Sequence, residues 1–465
     1  MSDAIDVLVV GAGAAGLSAA YAAAQAGCSV TVVDPNPRTG GQYHRDRPQA
    51  PDFRPAGCTD EQVWDRIQVL NRQTVYSVEG ERDHFTARIR GDDRHRAESG
   101  VLHARRVVIA TGAYDRPLPV PGWDLPGVMS GGGAQALIKG SGVLPGTRIV
   151  VAGTGPFLLA VADAVLRAGG SVVAVVEAND PLSLGRQITS ILPGGAAKGL
   201  DLARYLSNLA RHRVPYLRRH RIRAIHGDTS VTGVTIAKVD RDWTAISGTD
   251  RLLEADTVAI GYGFTAQLDL ALQLGCNVMQ GSDEGLAIEV DEDQASSVAG
   301  VFAAGETTGI GGVDLARIEG LIAGASVACS LGHADPLRDP ASVRRTRDRL
   351  RAFADALAVS FPLRPGWKED LTDDTIVCRC EEVTAGRIRT SIDELGARDA
   401  RAVKLLTRAG MGWCQGRICS LAVDQLCPGA SSVDAQMRAA TRPIAVPVPL
   451  SSIAAMTARP EGVNP

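Results

Sequence analysis

The sequence predicts an α/β chain with two Rossmann-like dinucleotide-binding units and a small helical unit near its C-terminal end. Three observations predict it. A strand, a glycine turn, a helix and a second strand ending in an acid open the chain. The pattern returns 142 positions later, Gly11 to Gly153. Four of the nine cysteines then fall within residues 378–419.

At 465 residues the chain is too long for one ordinary core, and about three structural units are expected. Hydrophobic content of 45% with 22% charged residues fits a globular protein. Aromatics are only 4%, so the core must be built from Ala, Val, Leu and Ile. A net charge of −3 gives no reason to expect nucleic acid or an anionic membrane as partner. The start, "MSDAIDVLVVGAGAAG", runs straight into a strand, with Asp3 and Asp6 where a signal peptide would be basic. No apolar run is long enough to span a bilayer. An odd number of cysteines does not read as a disulfide framework, so the expected compartment is the cytoplasm.

The first unit is "IDVLVVGAGAAGLSAAYAAAQAGCSVTVVD", residues 5–34. Apolar residues 7–10 suit a buried parallel strand. Gly11, Gly13, Ala15 and Gly16 make the turn. Gly11 allows the tight bend, Gly13 lets backbone approach a pyrophosphate, and Gly16 lets helix pack on strand. The helix N-terminus offers free N–H groups to phosphates. Asp34 is placed to accept hydrogen bonds from ribose hydroxyls.

Further motifs choose the nucleotide. "RTGGQ" carries Gly40, Gly41 and Gln42; "RRVVIATGAYDRP" carries Ala110, Thr111 and Gly112; "GVFAAGETTGIGG" carries Gly305, Glu306, Gly311 and Gly312. Together with the first turn they resemble the glutathione reductase-like flavoproteins, which implies FAD. By that resemblance Thr111, Gly112, Gly305 and Glu306 hold the middle of FAD, and the helix after Gly312 aims its N-terminus at the flavin ring. Most members have Asp where this chain has Glu306. Disulfide reductases of the group place a close cysteine pair beside the flavin. Here Cys28, Cys58, Cys276 and Cys329 are solitary and are expected to be small buried hydrophobes.

In the second loop, "GTRIVVAGTGPFLLAVADAVLRAGGSVVAVVEA", Gly153 and Gly155 match but Leu158 stands at the third glycine position. Leu158 would force helix and strand apart or shift the helix from a pyrophosphate. Three readings stay open: NAD(P)H binding, an adenine nucleotide (ATP or NAD) bound without chemistry, or a retained scaffold. Glu177 at the strand end reads as a common surface glutamate.

Cys378, Cys380, Cys414 and Cys419 give C-x-C-x33-C-x4-C. Four thiolates from two short loops can close around an iron–sulfur cluster, with short helices between bringing the loops together. Zinc competes, but zinc sites usually space their pairs two to four residues apart. Clustering within 42 residues argues against four merely structural cysteines. The spacing resembles the bacterioferritin-associated-ferredoxin-like [2Fe–2S] domain. Cys427 is expected to be a bystander.

With a full first motif, a defective second loop and this terminal unit, the chain resembles the FAD/[2Fe–2S] subunit of heteromeric amino-acid and opine dehydrogenases. That group includes the A-type chain of opine oxidase, the B-type chain of hydrogen cyanide synthase and the α-type chain of D-hydroxyproline dehydrogenase. It is also similar to the α-type chain of heterotetrameric sarcosine oxidase. "GVLPGTRIVVAGTGP", "DTVAIGYGF" and "TRPIAVPVPL" share that flavour. The resemblance implies an amine-oxidising flavoprotein β subunit that turns a C–N bond into an imine. Electrons would then pass through flavin and [2Fe–2S] to an acceptor such as a quinone. It allows an FMN at the subunit interface and a small third subunit, and it assigns no catalytic residue to this chain. Two other classes compete: a self-contained NAD(P)H-dependent ferredoxin-type reductase, and a non-catalytic nucleotide-binding scaffold.

The expected boundaries are 1–115 with 255–335 for the FAD-binding unit and 116–254 for the second nucleotide-binding unit. A linker over 336–370, the [2Fe–2S] unit over 371–430 and a tail over 431–465 follow. The linker, with "RRTRDRLRAF", reads as a solvated helix, and "RYLSNLARHRVPYLRRHRIR" as a solvated basic face.

Overall fold

A computed structural model describes residues 4–45, 53–92, 100–182, 188–428, 432–450 and 453–454, with the side chains of 188–198 outside the description. The chain opens with β1 (Ile5–Val10), α1 (Ala14–Gln25) and β2 (Val30–Asp34). The two strands are parallel, with Val7 opposite Val30 and Val10 opposite Val33. Strands buried on both faces need continuous apolar runs, which these supply. β3 (Ile67–Asn71) extends the parallel set. β4 (Gln73–Glu81) and β5 (His84–Gly91) form an antiparallel pair leading to β6 (Gly100–Ile109). The sheet order is β3-β2-β1-β6-β5-β4, with the late strand Val301–Ala303 also on β6. β6 is long enough to serve three neighbours: its first half pairs antiparallel with β5, its second half parallel with β1 and Val301–Ala303.

The low aromatic content fits the way the layers of the first unit close. α1 is buried along almost its whole length, and helix Val313–Ser330 lies directly on it. A Cβ at Gly320 would stand 2.1 Å from the Ala15 carbonyl oxygen, and one at Gly324 would stand 2.2 Å from that of Ala19. Glycine against alanine lets two helix backbones touch where larger side chains would hold them apart.

The second unit is a parallel sheet in the order Tyr216–Arg218, Ser171–Glu177, Arg148–Gly153, Thr257–Gly261, Val128–Ser130. A three-stranded antiparallel sheet, His220–Gly227, Val231–Lys238 and Arg251–Glu254, covers it. Thr257–Gly261 thus belongs to the second sheet, although the expected boundary after 254 put it in the first unit. Its parallel register with Arg148–Gly153, Thr257 opposite Ile149, decides the matter. The chain crosses between the units through Ala113–Asp115 and returns through Phe264–Ala266. These strands pair antiparallel, Tyr114 opposite Thr265.

The tract expected to be a solvated linker helix is a helix, but one face of it packs on the body. Helix Pro340–Ser360 buries Phe353, Ala354, Ala356 and Ser360. Arg351 reaches from it to donate to the Gly309 carbonyl at 3.0 Å and to Glu319 at 2.5 Å. Nor is the basic stretch wholly solvated, because Arg221 is 3% exposed and pairs with Asp370 at the end of that tract.

The terminal unit has a ribbon, Ile376–Cys378 with Val383–Thr384, and helices Ala385–Asp393, Ala400–Thr407, Ser420–Leu426 and Val433–Ala440. Thr384, Asp399 and Ser432 cap three of them by accepting N–H groups of the first turn, as their side chains favour. Val377, Ile388, Val403 and Val423 share one core with Trp123, Ile222, Val234 and Ile260 of the second unit. The terminal unit is therefore fused to the body rather than tethered to it. Among the described residues no helix is long and apolar enough to cross a membrane.

Candidate functional site: a nucleotide cradle beside four thiols

Loops after β1, β2, β6 and Val301–Ala303 meet at the C-terminal edge of the first sheet, where open α/β sheets bind ligands. Gly11 has φ +109°, and a Cβ there would lie 2.3 Å from the Ala110 carbonyl oxygen. A Cβ at Gly16 would lie 1.8 Å from the Gly11 carbonyl oxygen. Gly13 and Gly41 face each other, and Gly40 N–H donates to the Ala12 carbonyl, locking the two turns. Ala15 is buried beneath Gly305 and Gly320. Thr111 Oγ1 donates to the Gln267 carbonyl at 2.9 Å, while Gly112 faces open space. Gln42 is exposed at the rim. Bare backbone, two helix N-termini and a strand-end acid are what a flavin dinucleotide requires, so these residues fit FAD.

The acids are more committed than sequence alone suggests. Asp34 is buried; one oxygen accepts from Ala12 N–H at 2.6 Å and the other from Asn36. Glu306 accepts from Gly311 N–H at 3.2 Å and Gly312 N–H at 2.7 Å, just ahead of helix Val313–Ser330. Burial raises its carboxyl above the usual range against those two bonds. The longer Glu side chain thus reaches the helix end that the flavin resemblance assigns to the ring. Glu319, which sequence reasoning missed, is 1% exposed. It accepts from Gly305 N–H and Thr308 Oγ1, both at 2.9 Å, and holds this turn together. Only a motif pairing residues 305 and 319 could have signalled it.

In the second loop Glu177 is fully buried, not on the surface. It accepts from Thr154 Oγ1 and Gly155 N–H at 2.8 Å and from Asn179 N–H at 2.9 Å. Burial pushes its carboxyl up to about 7. Leu158 is also fully buried, in a core with Ile149, Val151 and Ala259. The helix begins at Phe157, one position later than α1 does relative to its own loop, and Pro156 before it has no N–H to offer a phosphate. A cavity of about 950 Å³ opens beside Gly155, walled by Arg116, Gln294, Arg347 and Arg351.

The four cysteines come together. Cys378, Cys380, Cys414 and Cys419 line one cavity of about 290 Å³, with Trp123 and Ser130 of the second unit in its wall. The Cys419 thiol hydrogen-bonds to Cys378 and Cys414, lowering both of these and raising its own pKa. Gly410 N–H points at Cys378 Sγ at 3.5 Å. Among the described residues no three such side chains converge as one metal ion would need. A two-iron cluster takes its thiolates two per iron, so the set fits [2Fe–2S]. Cys427 lies outside the cavity, its Sγ donating to the Val423 carbonyl. Of the solitary cysteines, Cys28, Cys58 and Cys276 are buried, but Cys329 is exposed at the end of its helix.

Each cysteine loop carries an arginine that docks it. Arg379 lies over the Trp123 ring and Arg417 over the Tyr114 ring, each 5.2 Å from the centroid. Trp123 also donates to the Ile376 carbonyl at 2.5 Å. One anchor is in the second unit and the other in the crossing strand just after Gly112.

Residues 5–329 match the family described as "Pyridine nucleotide-disulphide oxidoreductase", and residues 376–427 match the "BFD-like [2Fe-2S] binding domain". The A-type chain of opine oxidase from Rhizobium meliloti is 34% identical over 446 residues, covering 90% of this chain and 81% of that one. The HcnB chain of hydrogen cyanide synthase from Pseudomonas aeruginosa is 32% identical, covering 89% and 90%. In structure the chain is similar to L-proline dehydrogenase from P. horikoshii, with a TM-score of 0.64, 20% identity, and 96% and 76% covered.

Proposed function

The chain belongs to the pyridine nucleotide-disulphide oxidoreductase family and carries a BFD-like [2Fe–2S] domain, and from that premise we propose that it is the electron-carrying subunit of a heteromeric dehydrogenase. The donor is an amino acid, imino acid or opine, oxidised at its C–N bond in a partner β subunit. Its relatives bear the names of subunits, which supports a partner. Gly11, Gly13, Ala15, Gly16, Asp34, Gly41, Gln42, Ala110, Thr111, Gly112, Gly305, Glu306 and Gly312 would hold FAD. Cys378, Cys380, Cys414 and Cys419 would hold the cluster. Bound there, the flavin would supply two-electron uptake and the cluster one-electron transfer towards a carrier such as a quinone. The chain's own residues position and tune; none acts as general base or nucleophile.

One observation carries this reading: a cysteine cavity built into the same body as the nucleotide cradle, with one cysteine loop docked on the strand that leaves Gly112. At the second loop, Leu158 fills the third glycine position and Pro156 offers no N–H ahead of the helix, which weakens a pyrophosphate site there. An FMN at the interface with the partner and a third, small chain belong to the proposal by likeness alone.

An anaerobic NADH titration of the purified chain tests it, read by visible flavin and iron–sulfur absorbance. NADH is expected to leave both bands unchanged, and amine substrate with the partner chain present to bleach them. Prompt bleaching by NADH alone would make the chain a self-contained reductase instead. A colourless protein after careful anaerobic preparation would leave only a scaffold.

A further inference from the structure

Asp269 opens the short helix Asp269–Gln273, directly after the returning crossing strand, and is 7% exposed. Two arginines of the terminal region converge on it. Arg417, inside the C-x4-C loop, stands 3.1 Å away, and Arg442 of the tail stands 3.3 Å away on the other oxygen. Their side chains are only 12% and 11% exposed. Each arginine also holds the cysteine loop. Arg417 Nη1 donates to the Cys414 carbonyl at 3.4 Å, and Arg442 donates to the Gln415 carbonyl. Arg417 reaches back to the Ala445 carbonyl as well, so loop, tail and body close on one carboxylate.

Buried ions are costly unless they are paired. One carboxylate for two guanidinium groups leaves a surplus positive charge beside the loop. A four-thiolate cluster gains one more negative charge on one-electron reduction, and nearby positive charge favours that form, more strongly in a dry site than in water.

We propose that Asp269, Arg417 and Arg442 form a positioning triad that seats the C-x4-C loop on the flavin-binding unit and raises the reduction potential of the cluster. This rests on the reading of the four cysteines as [2Fe–2S] ligands. The surplus charge supplies the potential, and the shared carboxylate supplies the orientation.

The whole chain, purified anaerobically with whatever partner chain comes with it, is titrated potentiometrically with dithionite, and the reduced cluster is read by electron paramagnetic resonance. Iron and acid-labile sulfide are counted first. Their absence from the wild-type chain would overturn the ligand reading and the triad with it. With the cluster present, Arg442→Gln is expected to lower the reduced-to-oxidised ratio at fixed potential by about threefold or more. Asp269→Asn is expected to move it the opposite way, and Arg442→Lys to stay near wild type. A purely structural role would not give shifts of opposite sign. Shifts of the same sign in Arg442→Gln and Asp269→Asn, or none in either, would overturn the triad. If Asp269→Asn loses its cluster, the two Arg442 variants decide, and equal potentials for Gln and Lys count against it.

Discussion

At the end of its strand, Glu177 accepts three hydrogen bonds while fully buried, and its carboxyl rises from an ordinary value near 4.5 to about 7. The folded chain therefore keeps a proton that the unfolded chain releases between those values. Folding stability falls as pH climbs through that window, by about 3 kcal/mol in total, and is flat again above it. Thermal melts between pH 5 and 8 should show this decline in wild type and lose most of it in Glu177→Gln. An unchanged slope in the variant would place the titration elsewhere. The sequence located both strand-end acids, because apolar strands ending in Asp34 and Glu177 are plain in the pattern. Where their carboxyls point was not legible. That depends on Thr154 in the glycine turn and Asn179 after the next strand, and in the first unit on Ala12 and Asn36.

Ion pairs between distant elements decide how the linker tract lies. Arg221 and Arg223 both hold Asp370, whose side chain is 8% exposed, and Arg221 is itself 3% exposed. Removing the carboxylate leaves a buried guanidinium uncompensated, so Asp370→Asn should destabilise the chain by about 3–5 kcal/mol. Chemical denaturation measures it, and a loss below about 1 kcal/mol would mean that water takes the place of Asp370. Such pairs also explain what sequence reading could not see. An arginine-rich helix looks solvated when its partners are not in view. Arg351 finds Glu319 32 residues back, and Arg221 finds Asp370 149 residues on. Signals with short spacing fared better. The two cysteine pairs are each written within a few residues, and the structure brings the four cysteines to one cavity as that spacing suggests.

Across the molecule, two antiparallel strands carry the chain between its nucleotide-binding units, and such a crossing is where two bodies could swing. The terminal unit spans it, with Arg379 on Trp123 of one unit and Arg417 on Tyr114 and Asp269 at the crossing. Backbone bonds close it further: Arg116 N–H to Gly263, Tyr262 N–H to Arg116 and Gln267 N–H to Gly112, at 2.9–3.0 Å. Hydrogen exchange by mass spectrometry should find these amides as slow as those of β1. Exchange within minutes would show that the units swing despite the clamp. A clamped crossing has a consequence for how such a chain could be reused. Spacing between cradle and thiols is settled once, during folding, and no docking event has to reset it. If the partner chooses the donor, as proposed, a change of donor chemistry can be confined to the partner. The internal conductor then serves as a standard part, interchangeable among oxidations that share nothing but a C–N bond.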